Sequence, residues 1–119
     1  MKRDYQAVAE RSVGTILEVA RHMQYYVAPW QDLDLEHEAA LSIREVVAGT
    51  SSASFESVLA VDPSLARLLS NASTTSGGSR LLEYARGFDE AHQSRLEATL
   101  KVSLTALQRA MNANSAYLN

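Results

Sequence analysis

The longest uninterrupted helical pattern in the chain covers residues 80–114, and it restricts the possible folds more than any other feature. Apolar and small side chains recur there at spacings of three and four, which places them on one face of a helix. The stripe consists of Leu81, Ala85, Phe88, Leu96, Leu100, Ser103, Leu107 and Ala110, broadened by Leu104 and Met111. No segment alternates long enough to predict a strand. We therefore predict an all-α protein.

The length of this segment raises a question about its surroundings. At about 1.5 Å per residue, an unbroken helix over 80–114 would be roughly 50 Å long. A compact domain of 119 residues has a radius of gyration of only about 13–14 Å. The helix must then break near Gly87, or its overhang must be covered by another chain. Because one glycine does not break a helix, we favour the second arrangement and expect a homodimer.

Shorter helical patterns precede this segment. Asp34 is a good N-cap for one of them, with Glu36 and Glu38 suited to the positive end of that helix. We predict a single domain over 1–119, an up-and-down-like bundle of four or five helices whose first and last members are long. The predicted helices are 4–27, 34–48, 54–61, 63–70 and 80–114, and the predicted flexible loop is 70–79.

Composition restricts the class of protein. Hydrophobic residues make up 46% of the chain and charged residues 21%, which is typical of a globular protein. There is no cysteine, so thiolate metal sites are excluded. The sequence predicts neither a signal peptide nor a membrane span, because the N-terminus is punctuated by charges and no apolar run approaches 18 residues. We expect a cytoplasmic protein.

Charge is distributed unevenly along the chain. Residues 31–62 carry seven acidic side chains and one basic side chain, whereas both flanking regions are mildly basic. This pattern argues against direct nucleic-acid binding, as does the lack of any basic residue in 51–61, where a partial helix-turn-helix likeness would need one. One alternative function follows: an acidic decoy that occupies a nucleic-acid-binding partner. Its acidic surface would comprise Asp32, Asp34, Glu36 and Glu38.

Each of the three histidines follows an acidic residue at a helical spacing. Carboxylate and imidazole on one helix face can hold a metal. Di-iron bundles, however, require Glu-x-x-His on two helices and two further carboxylates. Here both i,i+3 pairs use the shorter aspartate, and Asp34 is better explained as a cap. We expect no cofactor, with a metal-binding helical bundle as the alternative. Its weak candidates are His37, His92 and Asp89.

No catalytic motif stands out. No serine lies in a Gly-x-Ser-x-Gly elbow. The tetrapeptide at 89–92, Asp-Glu-Ala-His, matches the box of a helicase class, but the phosphate-binding loop and parallel strands that such a box requires are missing from the sequence. We therefore predict that the protein is not an enzyme.

These observations favour a non-enzymatic helical protein–protein interaction module: an adaptor, assembly factor or inhibitor acting as a homodimer. Trp30 follows Tyr25 and Tyr26 at the end of the first helix, where an aromatic group either closes a core or anchors a partner. The identity of the protein partner does not follow from the sequence. The predicted core or interface anchors are Leu96, Leu100, Leu104, Leu107, Met111 and Trp30.

Overall fold

A computed structural model of the chain describes residues 2–26, 33–47, 67 and 78–118. They form an all-α bundle, as predicted, and no strand occurs in these ranges. The helices are α1 (Lys2–Tyr26), α2 (Leu35–Val47), α3 (Leu81–His92) and α4 (Leu96–Leu118). The most extensive packing joins the long first and last helices, α1 and α4.

The core lies where the apolar stripes of the four helices meet. The apolar stripe of α1 follows the same spacing of three and four residues, and its Val13, Ile16 and Ala20 are fully buried. From α4, Leu100 and Leu107 are also completely shielded from solvent. Contacts of this kind supply most of the stability of a helix in a protein, because isolated helices are marginal in water. The other principal core side chains are Leu17, Met23, Leu35, Ile43, Leu81, Phe88 and Met111.

The start of α2 has the cap that the sequence predicts. Asp34 Oδ1 accepts a hydrogen bond from the backbone N–H of His37 at 3.0 Å, which satisfies one of the free amides of the first turn. A side chain of α1 supplies a second cap, because Gln24 Oε1 accepts from the backbone N–H of Leu35 at 2.9 Å. The end of α1 is thereby fastened to the beginning of α2.

The single helix predicted over 80–114 is wrong, because the chain turns at residues 93–95. Gln93 and Arg95 have left-handed backbone conformations, with φ of 55° and 57°. Gly87, the predicted breakpoint, lies inside α3. The turn lets α4 fold back along α1, and the described helices fit within 46 × 28 × 24 Å. The overhang from which we predicted a homodimer therefore does not exist in this conformation.

The start of α3 is held by side chains of α2. Glu45 Oε1 accepts from the backbone N–H of Ser79 at 2.7 Å, and Glu38 Oε2 accepts from that of Arg80 at 2.7 Å. Gly78 has a φ of 71°, and a Cβ added there would lie 2.5 Å from Glu45 Oε1. Glycine at this position therefore permits both the left-handed turn and the close approach of the carboxylate.

Several predictions lie outside the described residues. These are the helices at 54–61 and 63–70, apart from the helical Arg67, and most of the loop at 70–79. Trp30 and Asp32 lie outside them as well. Among the helices that are described, none has the length and the hydropathy that crossing a bilayer requires.

Candidate functional site

An apolar cleft of about 380 Å³ opens at one end of the bundle. It lies where α1 ends and α2 begins, with α3 along one side. Its volume falls toward the lower end of the range of ligand pockets, and its wall is largely apolar with a few polar groups, as is usual for such sites. We call it the aromatic cleft. Its lining comprises Met23, Tyr26, Leu33, Leu35, Glu83, Tyr84, Gly87, Phe88, Ala91 and His92.

Phe88 is the centre of the aromatic groups at the cleft. Its ring lies 4.2 Å from that of His92 and 6.1 Å from those of His22 and Tyr26, measured between centroids. Phe88 itself is buried, whereas Tyr26 is 57% exposed and the adjacent Tyr25 is 77% exposed. The arrangement is a buried ring with the exposed Tyr26 beside it, and the ring of Tyr25 contacts that of Tyr26 at 5.3 Å between centroids. Tyrosine in such a position offers an apolar face and a hydroxyl to a binding partner.

Helical spacing explains how these rings come together. His22 and Tyr26 are four residues apart on α1, and Phe88 and His92 are four residues apart on α3, so each pair lies on one helix face. Gly87 lies beside Phe88 on the lining, and a Cβ added to it would meet no atom within 4 Å. The missing side chain at Gly87 thus contributes to the open volume of the cleft.

The candidate metal ligands have other roles in the structure. Asp89 Oδ1 accepts from the backbone N–H of Leu96 at 2.5 Å and from the Ser94 hydroxyl at 2.9 Å, and Oδ2 accepts from the backbone N–H of Glu97 at 2.7 Å. This carboxylate therefore caps α4 from the preceding helix. His92 stacks on Phe88.

His37 lies on a different helix, half-buried, and Asp34 is occupied in capping its backbone. Among the side chains that the structure describes, at 7–26, 33–47, 67 and 78–112, no three histidine, aspartate or glutamate residues form a group suited to a metal ion. The structure therefore does not bring the three candidates together.

Capping also affects the protonation of Asp89. Partial burial raises the pKa of this carboxyl group, but hydrogen bonds from the Glu97 and Leu96 amides and the Ser94 hydroxyl more than compensate. The net pKa lies below its ordinary value of 3.8. A carboxylate that accepts backbone N–H bonds is stabilised in its charged form.

The stability of the protein should depend on pH through this group. Because folding lowers the pKa of Asp89, its ionised cap contributes fully above the unfolded-state pKa and is lost as pH falls through the folded-state pKa. We expect wild type to lose more stability than Asp89→Asn as the pH falls from 5 to 2, because only the wild-type carboxylate is protonated in this range. Urea denaturation across this range measures the difference. Identical pH profiles for the two proteins would contradict the role of Asp89.

The acidic surface is partly engaged within the chain. The Glu36 carboxylate lies 3.4 Å from Arg21 Nε, Glu38 binds the backbone of Arg80, and Asp34 caps α2. These carboxylates have structural roles at helix starts and between α1 and α2. They are therefore less available to a basic partner than the sequence suggests.

The predicted interface anchors of α4 divide into two groups. Leu100, Leu107 and Met111 are at most 2% exposed and form the core of this chain. Leu96 and Leu104 are half-buried and pack against that core. In this structure these side chains pack within a single chain. The sequence left two roles open for them, in the core or at an interface, and this packing is the core role.

Phe88, His22 and His92 were not singled out as a cluster from the sequence. The sequence does contain one indication of this cluster: His22 and Tyr26 are four residues apart, and so are Phe88 and His92. No protein-family model matches the chain, and comparison with curated proteins and with solved structures gives no match.

Proposed function

We propose that the chain is a non-enzymatic protein–protein interaction module. In this proposal the aromatic cleft docks a short segment of a partner protein, one with a large apolar side chain and a lysine or arginine beside it. The observation that supports the proposal is the apolar cleft of about 380 Å³ with the exposed Tyr26 on its lining.

The apolar lining favours a partner that inserts an aliphatic or aromatic side chain into the cleft. Met23, Leu35 and Phe88 present carbon atoms to the cleft, and full burial of one Leu or Phe side chain contributes about 1.5–3 kcal/mol. Anchors of this kind dominate the energetics of most protein–protein interfaces, surrounded by contacts that exclude water. Tyr26 can supply such surrounding contacts from the rim.

The negative charge at the cleft favours a partner that carries a basic residue next to its apolar anchor. Glu83 is an exposed acid on the cleft lining, and it forms no ion pair with any residue that the structure describes. A lysine or arginine of the partner would complement this charge. Complementary charge at a rim increases the association rate and selects among partners more than it raises affinity.

The test uses a 14-residue amphipathic peptide of leucine and lysine as the probe, with a leucine and glutamate peptide as its control. We expect the lysine peptide to bind at least about tenfold more tightly in titration calorimetry, because its charge complements Glu83. Gly87→Leu should fill the cleft and weaken binding by about tenfold or more. Gly14→Leu is the matched control, since a Cβ added there also meets nothing within 4 Å and Gly14 lies outside the cleft.

A second pair of variants tests the charge. Glu83→Lys should reduce binding of the lysine peptide, whereas Glu18→Lys, an exposed acid of α1 outside the lining, should leave it unchanged. The proposal fails if both peptides bind equally well, or if the cleft variants behave like their controls. Far-ultraviolet circular dichroism verifies that every variant keeps its helices.

A further inference from the structure

We infer that residues 93–95 form an exchange hinge, at which α4 of one copy can leave its own core and pack into the core of a second copy. In the exchanged dimer, α3 and α4 are one continuous helix over residues 81–118. The partner on this surface is therefore another copy of this chain. The inference goes beyond the proposed function and depends on different residues.

The sequence of the hinge is that of a helix. Gln93, Ser94 and Arg95 include neither glycine nor proline, and glutamine and arginine are good helix formers. The i,i+4 spacing continues from Phe88 through His92 to Leu96, so the helical pattern crosses the turn without interruption. Nothing local in the sequence requires the chain to turn here.

The closed turn is held by few interactions. Gln93 and Arg95 adopt φ of 55° and 57°, a conformation that is unfavourable for residues with a Cβ. All three hinge residues are exposed, so no core packing compensates for this strain. The closed turn is stabilised mainly by the Asp89 carboxylate, which accepts hydrogen bonds from Leu96, Glu97 and Ser94. In a continuous helix the amides of Leu96 and Glu97 would instead bond to the carbonyls four residues earlier.

A second copy is the partner that fits the released helix. Leu100, Leu107 and Met111 are buried in the closed chain and could not remain in water after the hinge opens. The complementary surface is the one that α4 now occupies, mainly on α1. Exchange of an identical element can keep the core contacts of α4 away from the hinge and is a low-cost route to a dimer. Short strained hinges favour it.

The exchanged form accounts for the length of the 80–114 pattern. Its continuous helix would measure about 57 Å, which exceeds the 46 Å longest dimension of the closed chain. The predicted anchors of α4 would then contact the other chain. The aromatic cleft belongs to α1, α2 and α3, all before the hinge, so the dimer would carry two clefts. A negative result for helix exchange would therefore leave the proposed peptide binding at the cleft untouched, and the reverse also holds.

The equilibrium between monomer and dimer tests the inference. The 119-residue chain is refolded from urea at about 1 mM, and light scattering after size-exclusion chromatography measures the dimer fraction. Wild type should yield both species. Gln93→Gly with Arg95→Gly should lower the dimer-to-monomer ratio about tenfold, since glycine relieves the turn and disfavours the straight helix. Asp89→Ala should raise it about tenfold, since the closed turn loses its fastening.

Disulfide cross-linking identifies the exchanged element. The chain has no cysteine, so an engineered pair reports one contact. Ser12 and Ser103 line the same groove between α1 and α4, across the hinge. Ser12→Cys with Ser103→Cys should give a covalent dimer in the dimer fraction. Ser42→Cys with Ser79→Cys is the control: these hydroxyl oxygens lie 2.6 Å apart before the hinge, so the cross-link should stay within one chain. Because this pair also removes the Ser79 hydrogen bonds, circular dichroism verifies that the control keeps its helices.

Three outcomes would overturn the inference. Wild type could remain monomeric after refolding at 1 mM. The dimer fraction could be the same in the glycine and Asp89→Ala variants, with helicity retained. The dimer could show only intrachain cross-links for the pair that spans the hinge, which would mean that two closed chains associate without exchanging α4.

Discussion

Replacing Leu107 by alanine should lower the free energy of unfolding by about 3 kcal/mol. Leu107 lies in α4 with none of its surface exposed, inside the core between α4 and α1. The substitution removes one methine and two methyl groups from this site, and the surrounding helices collapse only partly into the cavity that remains. Both the lost burial and the residual cavity contribute to the cost. Urea denaturation followed by circular dichroism measures the change.

Leu104→Ala is the matched control, since Leu104 lies one turn away on the same helix and is half-buried. The chemical change is identical, but less surface leaves contact with the core, so we expect a loss of about 1 kcal/mol. If the two variants lost equal stability, the burial pattern of α4 would be incorrect. The same conclusion would follow if Leu107→Ala cost less than Leu104→Ala.

The second large effect is expected for Ser79→Ala, which should lower the free energy of unfolding by about 2 kcal/mol. The Ser79 hydroxyl donates to the Glu38 carbonyl at 2.8 Å. It also accepts from the Leu81 amide at 3.2 Å, and its oxygen lies 2.6 Å from that of Ser42. Because its one proton goes to the carbonyl, Ser42 must donate to it. Alanine would remove all three of these hydrogen bonds at the partly buried interface of α2 and α3.

Ser42→Ala provides the comparison. Ser42 is 6% exposed, but its hydroxyl has only the bond to Ser79 among these contacts, so we expect a loss of about 0.5–1 kcal/mol. Thermal denaturation of the two variants at pH 7 makes the comparison. Equal losses would show that Ser79 has no special role in joining the two helices.

Some parts of the fold were predicted well from the sequence. These parts depend on residues that are close together along the chain. The stripe of α1 follows from the 3.6-residue period. The cap at Asp34 depends on a carboxylate and an amide three residues apart. Both features are encoded within one or two helical turns. They could therefore be predicted without knowing how the helices pack.

The turn at 93–95 could not be predicted in this way. Its residues favour a helix, and the chain turns because α4 gains a core against α1. The cap that holds the turn joins Asp89 to amides seven and eight residues away, farther than any cap within one helix. The tertiary contacts therefore override the local preference, a common outcome for segments of good helix formers.

The aromatic cleft could be predicted only in part from the sequence. Each helix contributes a pair of rings at an i,i+4 spacing that is visible in the sequence, His22 with Tyr26 and Phe88 with His92. That the two pairs meet depends on the crossing of α1 and α3, which no local pattern encodes. The sequence instead drew attention to Trp30, which lies outside the described residues.

The way the helices begin has a consequence for how the chain folds. Arg80, at the start of α3, has no side-chain cap of its own, and its amide depends on Glu38 of α2. α4 in turn begins on Asp89 of α3. Each of these helices begins with at least one amide bonded to a side chain of the helix before it. Formation of α3 and of α4 should therefore be coupled to the helix before each, because without it these amides would lack a partner.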